Sequence, residues 1–205
     1  MKVKKKNWVA VLNGKKGSGK SHLSKELIQD FSRVTVLDNI GEYDDIEVVY
    51  GFRNCLDRLI LASKQKTFRI SLRADDIDED MQLLEVAQTI PKQLIVIEEA
   101  SKYQNTAYMP KPIERLIRYG RHLDISQLYI SRRARELNRD ITANADNIIT
   151  FRQQEPRDIA YLREFIDDDA EKIPNLAQYE VYVWGDKEEL PLSIKSRLID
   201  QMRND

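Results

Sequence analysis

The sequence predicts an α/β domain, with a mostly parallel central sheet covered by helices on both faces. Three observations predict it. Short β-branched or apolar runs alternate with helix-period segments along the 205 residues, the pattern of successive β–α–β units. After its first residue, the run Gln93-Leu94-Ile95-Val96-Ile97 is continuously apolar, as a strand buried on both faces must be. Finally, Trp8-Val9-Ala10-Val11-Leu12 runs directly into a glycine-rich turn and a helical pattern.

The elements follow in order. Residues 20–31 read as a helix with Leu23, Leu27, Ile28 and Phe31 on one face. Arg33 to Asp38 is a β-branched strand ending in an acidic turn, Asp38 through Asp45, and 46–50 form a further short strand. A helix over 52–63 precedes the strand 67–72. The acidic stretch Asp75 to Asp80 opens a helix over 78–90, its charges suited to the positive end of the helix dipole, and Pro91 stops it. Residues 101–112, with Asn105, Pro110 and Pro112, read as a loop. A helix over 112–121 and strands over 126–130 and 148–151 come next. Pro156 starts a helix with Ile159, Leu162, Phe165 and Ile166 facing inward. The alternating run Tyr179 to Trp184 turns at Gly185-Asp186 and is expected to pair with residues near 190–194 as a C-terminal β-hairpin.

The whole chain is expected to be one domain: a basic tail (1–6), a core (7–167), and a C-terminal hairpin and tail (168–205). Composition is 41% hydrophobic and 33% charged, with a formal net charge of -1, which excludes a global attraction to nucleic acid or acidic lipid. Local basic patches remain, Lys2 to Lys6 among them. No apolar run is long enough to span a bilayer. The single Cys55 excludes an internal disulfide and reads as a small half-buried hydrophobe in a reducing compartment, so cytoplasm is the expected location.

Residues Gly14-Lys15-Lys16-Gly17-Ser18-Gly19-Lys20-Ser21 match G-x-x-x-x-G-K-[ST] between a strand and a helix, the context in which that pattern cradles a polyphosphate. Glycines let backbone amides approach phosphate oxygens, and the helix start adds its own free donors. The ATP-binding set is therefore Gly14, Lys16, Gly17, Ser18, Gly19, Lys20, Ser21 and His22. Lys20 is expected to reach the β/γ-phosphates and Ser21 to ligand Mg²⁺.

A second motif lies downstream. Leu94-Ile95-Val96-Ile97-Glu98-Glu99 places two carboxylates at the carboxyl end of a buried strand, where open α/β sheets bind ligands. Glu98 is assigned to the metal, although Asp is the usual acid there, and Glu99 to orienting or deprotonating the attacking water. Together these features predict a three-layer P-loop NTPase (RecA-like) fold.

Beyond them, the helix ends Gly120-Arg121-His122-Leu123-Asp124-Ile125, and a strand ends Tyr129-Ile130-Ser131-Arg132-Arg133. The stretch Asn144 to Leu162 adds Ala145-Asp146, Phe151-Arg152 and Pro156-Arg157-Asp158. From about Trp8 to Phe165 this order resembles the FtsK–HerA superfamily of ring-forming DNA-pumping ATPases. The likeness is greatest to the genome-packaging ATPases of membrane-containing icosahedral viruses. The resemblance implies ATP and Mg²⁺ as cofactors, double-stranded DNA as partner, and a homo-oligomeric ring of five or six copies. It also implies a capsid or membrane protein of the virion as a further partner, no insertion into the membrane itself, and a host-cell location that extends to the virion vertex. By the same resemblance, Arg121 matches the arginine inserted into the neighbouring subunit's ATP site, with Arg118 as the alternative. Family members commonly carry Gln as the γ-phosphate sensor where this chain has Arg132, so Arg132 is placed on the nucleotide with its sensor role open. Arg132, Arg133, Arg135 and Arg139 form a basic cluster that suits either a DNA-facing channel or salt-bridged surface.

Three functions follow: a Mg-ATP-driven motor translocating DNA into a preformed capsid, a nucleoside or nucleotide kinase, or a nucleotide-gated assembly or secretion ATPase. The length favours the first, since a bare motor core leaves no room for the extra domains of the cellular pumps.

Overall fold

The structure, a computed structural model, describes residues 7–185. Among these residues eight strands form one sheet: β1 (Val9–Asn13), β2 (Arg33–Leu37), β3 (Glu47–Tyr50), β4 (Phe68–Arg73), β5 (Leu94–Ile97), β6 (Ser126–Ser131), β7 (Asn147–Phe151) and β8 (Val181–Gly185). Their spatial order is β3-β4-β2-β5-β6-β1-β7-β8. Every neighbouring pair is parallel except β7 with β8. The helices are α1 (Lys20–Ile28), α2 (Phe52–Ser63), α3 (Ile77–Ala87), α4 (Lys111–Tyr119), α5 (Arg139–Ala143) and α6 (Pro156–Ile166).

Burial on both sheet faces explains the apolar runs. In β5, Ile95 and Ile97 pack with α2, α3, α4 and α6, while Leu94 and Val96 pack with α1 residues Leu23, Leu27 and Ile28. All four strand side chains are buried, so alternation gives way to an unbroken hydrophobic run. β3, at the sheet edge, buries none of its four residues fully. Cys55 is fully buried in α2.

Helix ends account for the boundary differences. α1 stops at Ile28 rather than residue 31 because Gln29, Asp30 and Phe31 donate to carbonyls three residues back, tightening the last turn. α3 ends at Ala87 for the same reason, with Thr89 and Ile90 bonded to Val86 and Ala87. Its start is capped: Asp76 accepts from the Glu79 amide at 2.9 Å, and Glu79 accepts from the Asp75 amide at 3.0 Å. In α6 Leu162 and Ile166 are buried, whereas Ile159 and Phe165 are half-buried against the same core. Two segments have no periodicity to betray them: the five-residue α5, capped by Asn138, and a 3₁₀ segment over Asp167–Asn175 that packs on α6.

The C-terminal strand is part of the main sheet. β8 pairs antiparallel with β7, Ile148 opposite Trp184 and Thr150 opposite Tyr182. The expected partner strand near 190–194 and the basic tail lie outside the described residues.

Candidate active site

The P-loop leaves the C-terminal end of β1 and wraps onto α1. Gly17 and Gly19 have φ of 78° and 103°, values that L side chains rarely adopt. Gly14 is required for a different reason: a Cβ there would lie 2.5 Å from Ser18 Oγ and 2.9 Å from Phe151 Cβ on β7. Leu23 is the first α1 amide bonded back, to the Gly19 carbonyl at 3.0 Å, so the amides of Lys20, Ser21 and His22 open the helix as free donors. The His22 side chain faces away, with Nε2 3.1 Å from Glu26 Oε1 on an exposed surface; only its amide can serve an anion. Lys16 is exposed and Ser21 half-buried.

Strand order brings the carboxylates opposite this cradle. β6 lies between β1 and β5, in register so that Leu12 sits beside Ile130 and Ile97 beside Tyr129. The P-loop, Arg132 and Glu98-Glu99 therefore emerge side by side from one sheet edge. Lys20 is buried, and desolvation lowers its ammonium pKa against the opposing pull of Glu98 and Glu99. Its Nζ donates to the Lys15 carbonyl at 3.3 Å. Glu98 is 1% exposed. Burial first, and then the charge of Glu99, push its carboxyl up to about 7, with Lys20 opposing. Glu99 adopts left-handed backbone at φ 45°, a costly conformation for a non-glycine residue that concentrates at functional sites. Its Oε1 accepts from Arg132 Nε at 2.6 Å.

Sequence reasoning missed Tyr43. The Asp38 carboxylate, fully buried at the end of β2, accepts from the amides of Glu42 and Tyr43, from Ser71, and from Arg73 at 3.0 and 2.8 Å. These bonds curl the acidic turn inward. Tyr43 OH then reaches Ser24 Oγ at 2.7 Å and Glu98 Oε2 at 3.2 Å. An aromatic residue embedded in an acidic turn was the available signal.

Behind Glu98 runs a buried polar chain. Asn39 donates to the Glu98 carbonyl at 3.1 Å and to Tyr103 OH, and Tyr103 OH donates to Asp80 Oδ2 at 2.7 Å. Asp80 is 2% exposed and its Oδ1 has no partner. Burial pushes its carboxyl up to about 6, the Tyr103 bond opposing. The folded state thus holds this proton to higher pH than the unfolded chain, and stability is lost as pH rises from about 4 to 6. Asp80→Asn is expected to raise unfolding stability by about 1–3 kcal/mol at pH 8 and to leave it unchanged at pH 3, measured by urea midpoints at the two pH values.

Arg121 is not near this site. It lies in a short 3₁₀ turn after α4, where Nη2 is 2.8 Å from Asp146 Oδ1 and Asn7 donates to its carbonyl at 2.7 Å. Asp146 also accepts from the amide of Val9, the first residue of β1. Arg121 therefore marks the entry of β1 and the P-loop its exit, about 16 Å apart at 3.3 Å per residue. Arg118 pairs with Glu114 along α4 at 2.8 Å. The cluster over 132–139 is compensated within the chain: Arg132 by Glu99, Arg133 by Asp158 and Glu155, Arg135 by the same two acids, and Arg139 by Glu164. Of its two readings, salt-bridged surface is what the geometry supports.

The donors suit Mg-ATP. Asn13 Nδ2 and Ser18 Oγ are buried without partners at the cradle, as groups awaiting phosphate oxygens would be. Among the described residues no three His, Cys, Asp or Glu side chains cluster to hold a metal. A magnesium ion carried by a triphosphate needs only a hydroxyl and a carboxylate from the protein, and Ser21 and Glu98 fit those roles. No helix among the described residues is long and apolar enough to cross a membrane.

No family model and no curated protein matches the chain. Solved structures do. The genome packaging NTPase B204 of Sulfolobus turreted icosahedral virus 2, in complex with ATP-gammaS, matches with a TM-score of 0.73 at 19% identity over 89% of this chain and 94% of that one. B204 of Sulfolobus turreted icosahedral virus, described as a DNA-packaging ATPase, matches with a TM-score of 0.69 at 20% identity, covering 91% and 96%. VirB4 of Thermoanaerobacter pseudethanolicus matches with a TM-score of 0.59 at 11% identity, covering 86% and 88%. The chain has the three-layer α/β fold of these structures, on which its P-loop, paired glutamates and Arg132 share one edge of the sheet.

Proposed function

We propose that this chain is an FtsK–HerA-type ATPase that hydrolyses Mg-ATP and works as a homo-oligomeric ring translocating double-stranded DNA, in the service of genome packaging. One observation carries the reading: the P-loop and Glu98-Glu99 assemble at one sheet edge, whereas Arg121 stands at the opposite edge, beside Asp146. A phosphoryl-transfer site built this way gains its arginine from a second copy. The match to packaging NTPases supports the same conclusion through the fold.

Within one chain, backbone amides and Lys20 hold the triphosphate in place. Ser21 and Glu98 would hold a magnesium ion carried by the triphosphate, which would supply positive charge to offset that of the phosphates. Glu99 accepts the proton of the attacking water, and Arg132, paired with Glu99, is the chain's own cation beside that carboxylate. The Arg121 guanidinium of a neighbouring copy adds permanent positive charge where the transition state needs it.

Phosphate release measured across protein concentration, with and without duplex DNA, tests the proposal. The rate per chain is expected to rise cooperatively with concentration and to increase with duplex. ADP formation that depends on an added nucleoside, with no response to duplex, would establish a kinase instead.

A further inference from the structure

Against the P-loop lies a cavity of about 290 Å³. It is lined by the P-loop over Lys15 to Ser18, by Phe151 and Arg152, and by Gln178 and Tyr179. Its volume is near the lower bound of small-molecule sites, about 300 Å³.

Tyr179 is held there by a strained turn. Its φ is 68°, a genuine outlier for a bulky side chain, and such strain persists only where surrounding structure imposes it. The turn is closed on both sides: the Ala177 amide donates to Glu180 Oε2 at 2.6 Å, and the Glu180 amide donates to the Ala177 carbonyl at 3.3 Å. A glycine would satisfy this backbone without strain. The tyrosine instead lays its ring against Gly19, where an added Cβ would stand 3.2 Å from Cδ1, while the residue remains 55% exposed. An aromatic face is thus presented to the cavity, next to the first turn of α1. Arg152 lines the same space and has no hydrogen-bond or ion-pair partner among the described residues. No acidic side chain among the described residues lines the cavity.

We propose that this cavity is the nucleoside subsite, in which Tyr179 stacks the base of a purine nucleoside triphosphate and the Arg152 guanidinium covers its ribose side. The inference rests on the nucleotide-binding role proposed for the P-loop and specifies what the rest of the ligand meets. Stacking uses the π-face that every base offers, and Gln178 is the one neutral amide side chain on the wall among the described residues. The subsite therefore grips purines without reading their edges, and ATP and GTP bind within about tenfold of each other.

The test is equilibrium titration of ATP, GTP and inorganic tripolyphosphate into the unsubstituted chain and into Tyr179→Ala, Tyr179→Phe and Tyr179→Trp. Tyr179→Ala is expected to weaken ATP and GTP about tenfold or more and to leave tripolyphosphate unchanged, with Tyr179→Phe close to the unsubstituted chain. In Tyr179→Trp, ATP quenches the new indole and tripolyphosphate does not. Equal ATP affinity in Tyr179→Ala, or an indole blind to ATP, overturns the subsite while leaving the P-loop role intact. Failure of the unsubstituted chain to bind ATP or tripolyphosphate overturns both.

Discussion

Arg121→Ala is expected to lower ATP turnover by about 10³–10⁵-fold while leaving nucleotide binding by each chain intact. The size follows from what a guanidinium does for a transferring phosphoryl group, and the binding result follows from position. Arg121 stands at the entry of β1, so its own P-loop, at the exit of that strand, does not feel its loss. Removing its exposed ion pair with Asp146, in which the Arg121 side chain is 46% exposed, costs about 0–1 kcal/mol of stability, too little to confuse with the catalytic effect. Mixing the variant with Glu99→Gln chains provides the decisive measurement. In a mixed ring, an intact P-loop and Glu99 from one chain meet Arg121 from the other, and part of the turnover returns. If mixing restores nothing while both variants still bind ATP, the arginine does not act across subunits.

Glu99→Gln is expected to lower turnover by about 10²–10⁴-fold, the range for loss of a positioned general base, with ATP affinity preserved or increased. The substitution keeps size and hydrogen-bonding capacity but removes the proton acceptor. It also dissolves the Arg132–Glu99 ion pair, freeing Arg132 for the γ-phosphate. Single-turnover hydrolysis alongside ATP titration separates the two effects. Unchanged turnover would remove Glu99 from the chemistry and return the base to another group.

The parts of the site legible in the sequence are those in which chemistry and chain order coincide. The P-loop is eight consecutive residues, and its geometry is written in Gly14, Gly17 and Gly19. Glu98 and Glu99 announce themselves by following an unbroken apolar run, because a strand with both faces buried can place carboxylates only at its end. Helix boundaries were less legible, since the i→i−3 bonds that tighten the ends of α1 and α3 leave no periodic trace. Tyr43 went unnoticed, and Tyr179 was read as the first residue of a strand that in fact begins at Val181, because each owes its position to contacts with residues distant in sequence. Asp38 and Ser71 hold the first turn, and Gly19 faces the second ring across the site.

A local strand–turn–helix unit and an alternating hydrophobic pattern were enough to predict a parallel α/β sheet and the glycine-rich turn at its edge, because backbone conformation and burial act over a few residues. Only the tertiary structure decided which strands are neighbours. Placing β6 between β1 and β5 set Arg132 on Glu99, joining β8 to β7 closed a cavity over the P-loop, and anchoring Arg121 to Asp146 put it at the far edge. Those placements depend on how helices and sheet pack as a whole, a property of the buried surface shared by the entire chain.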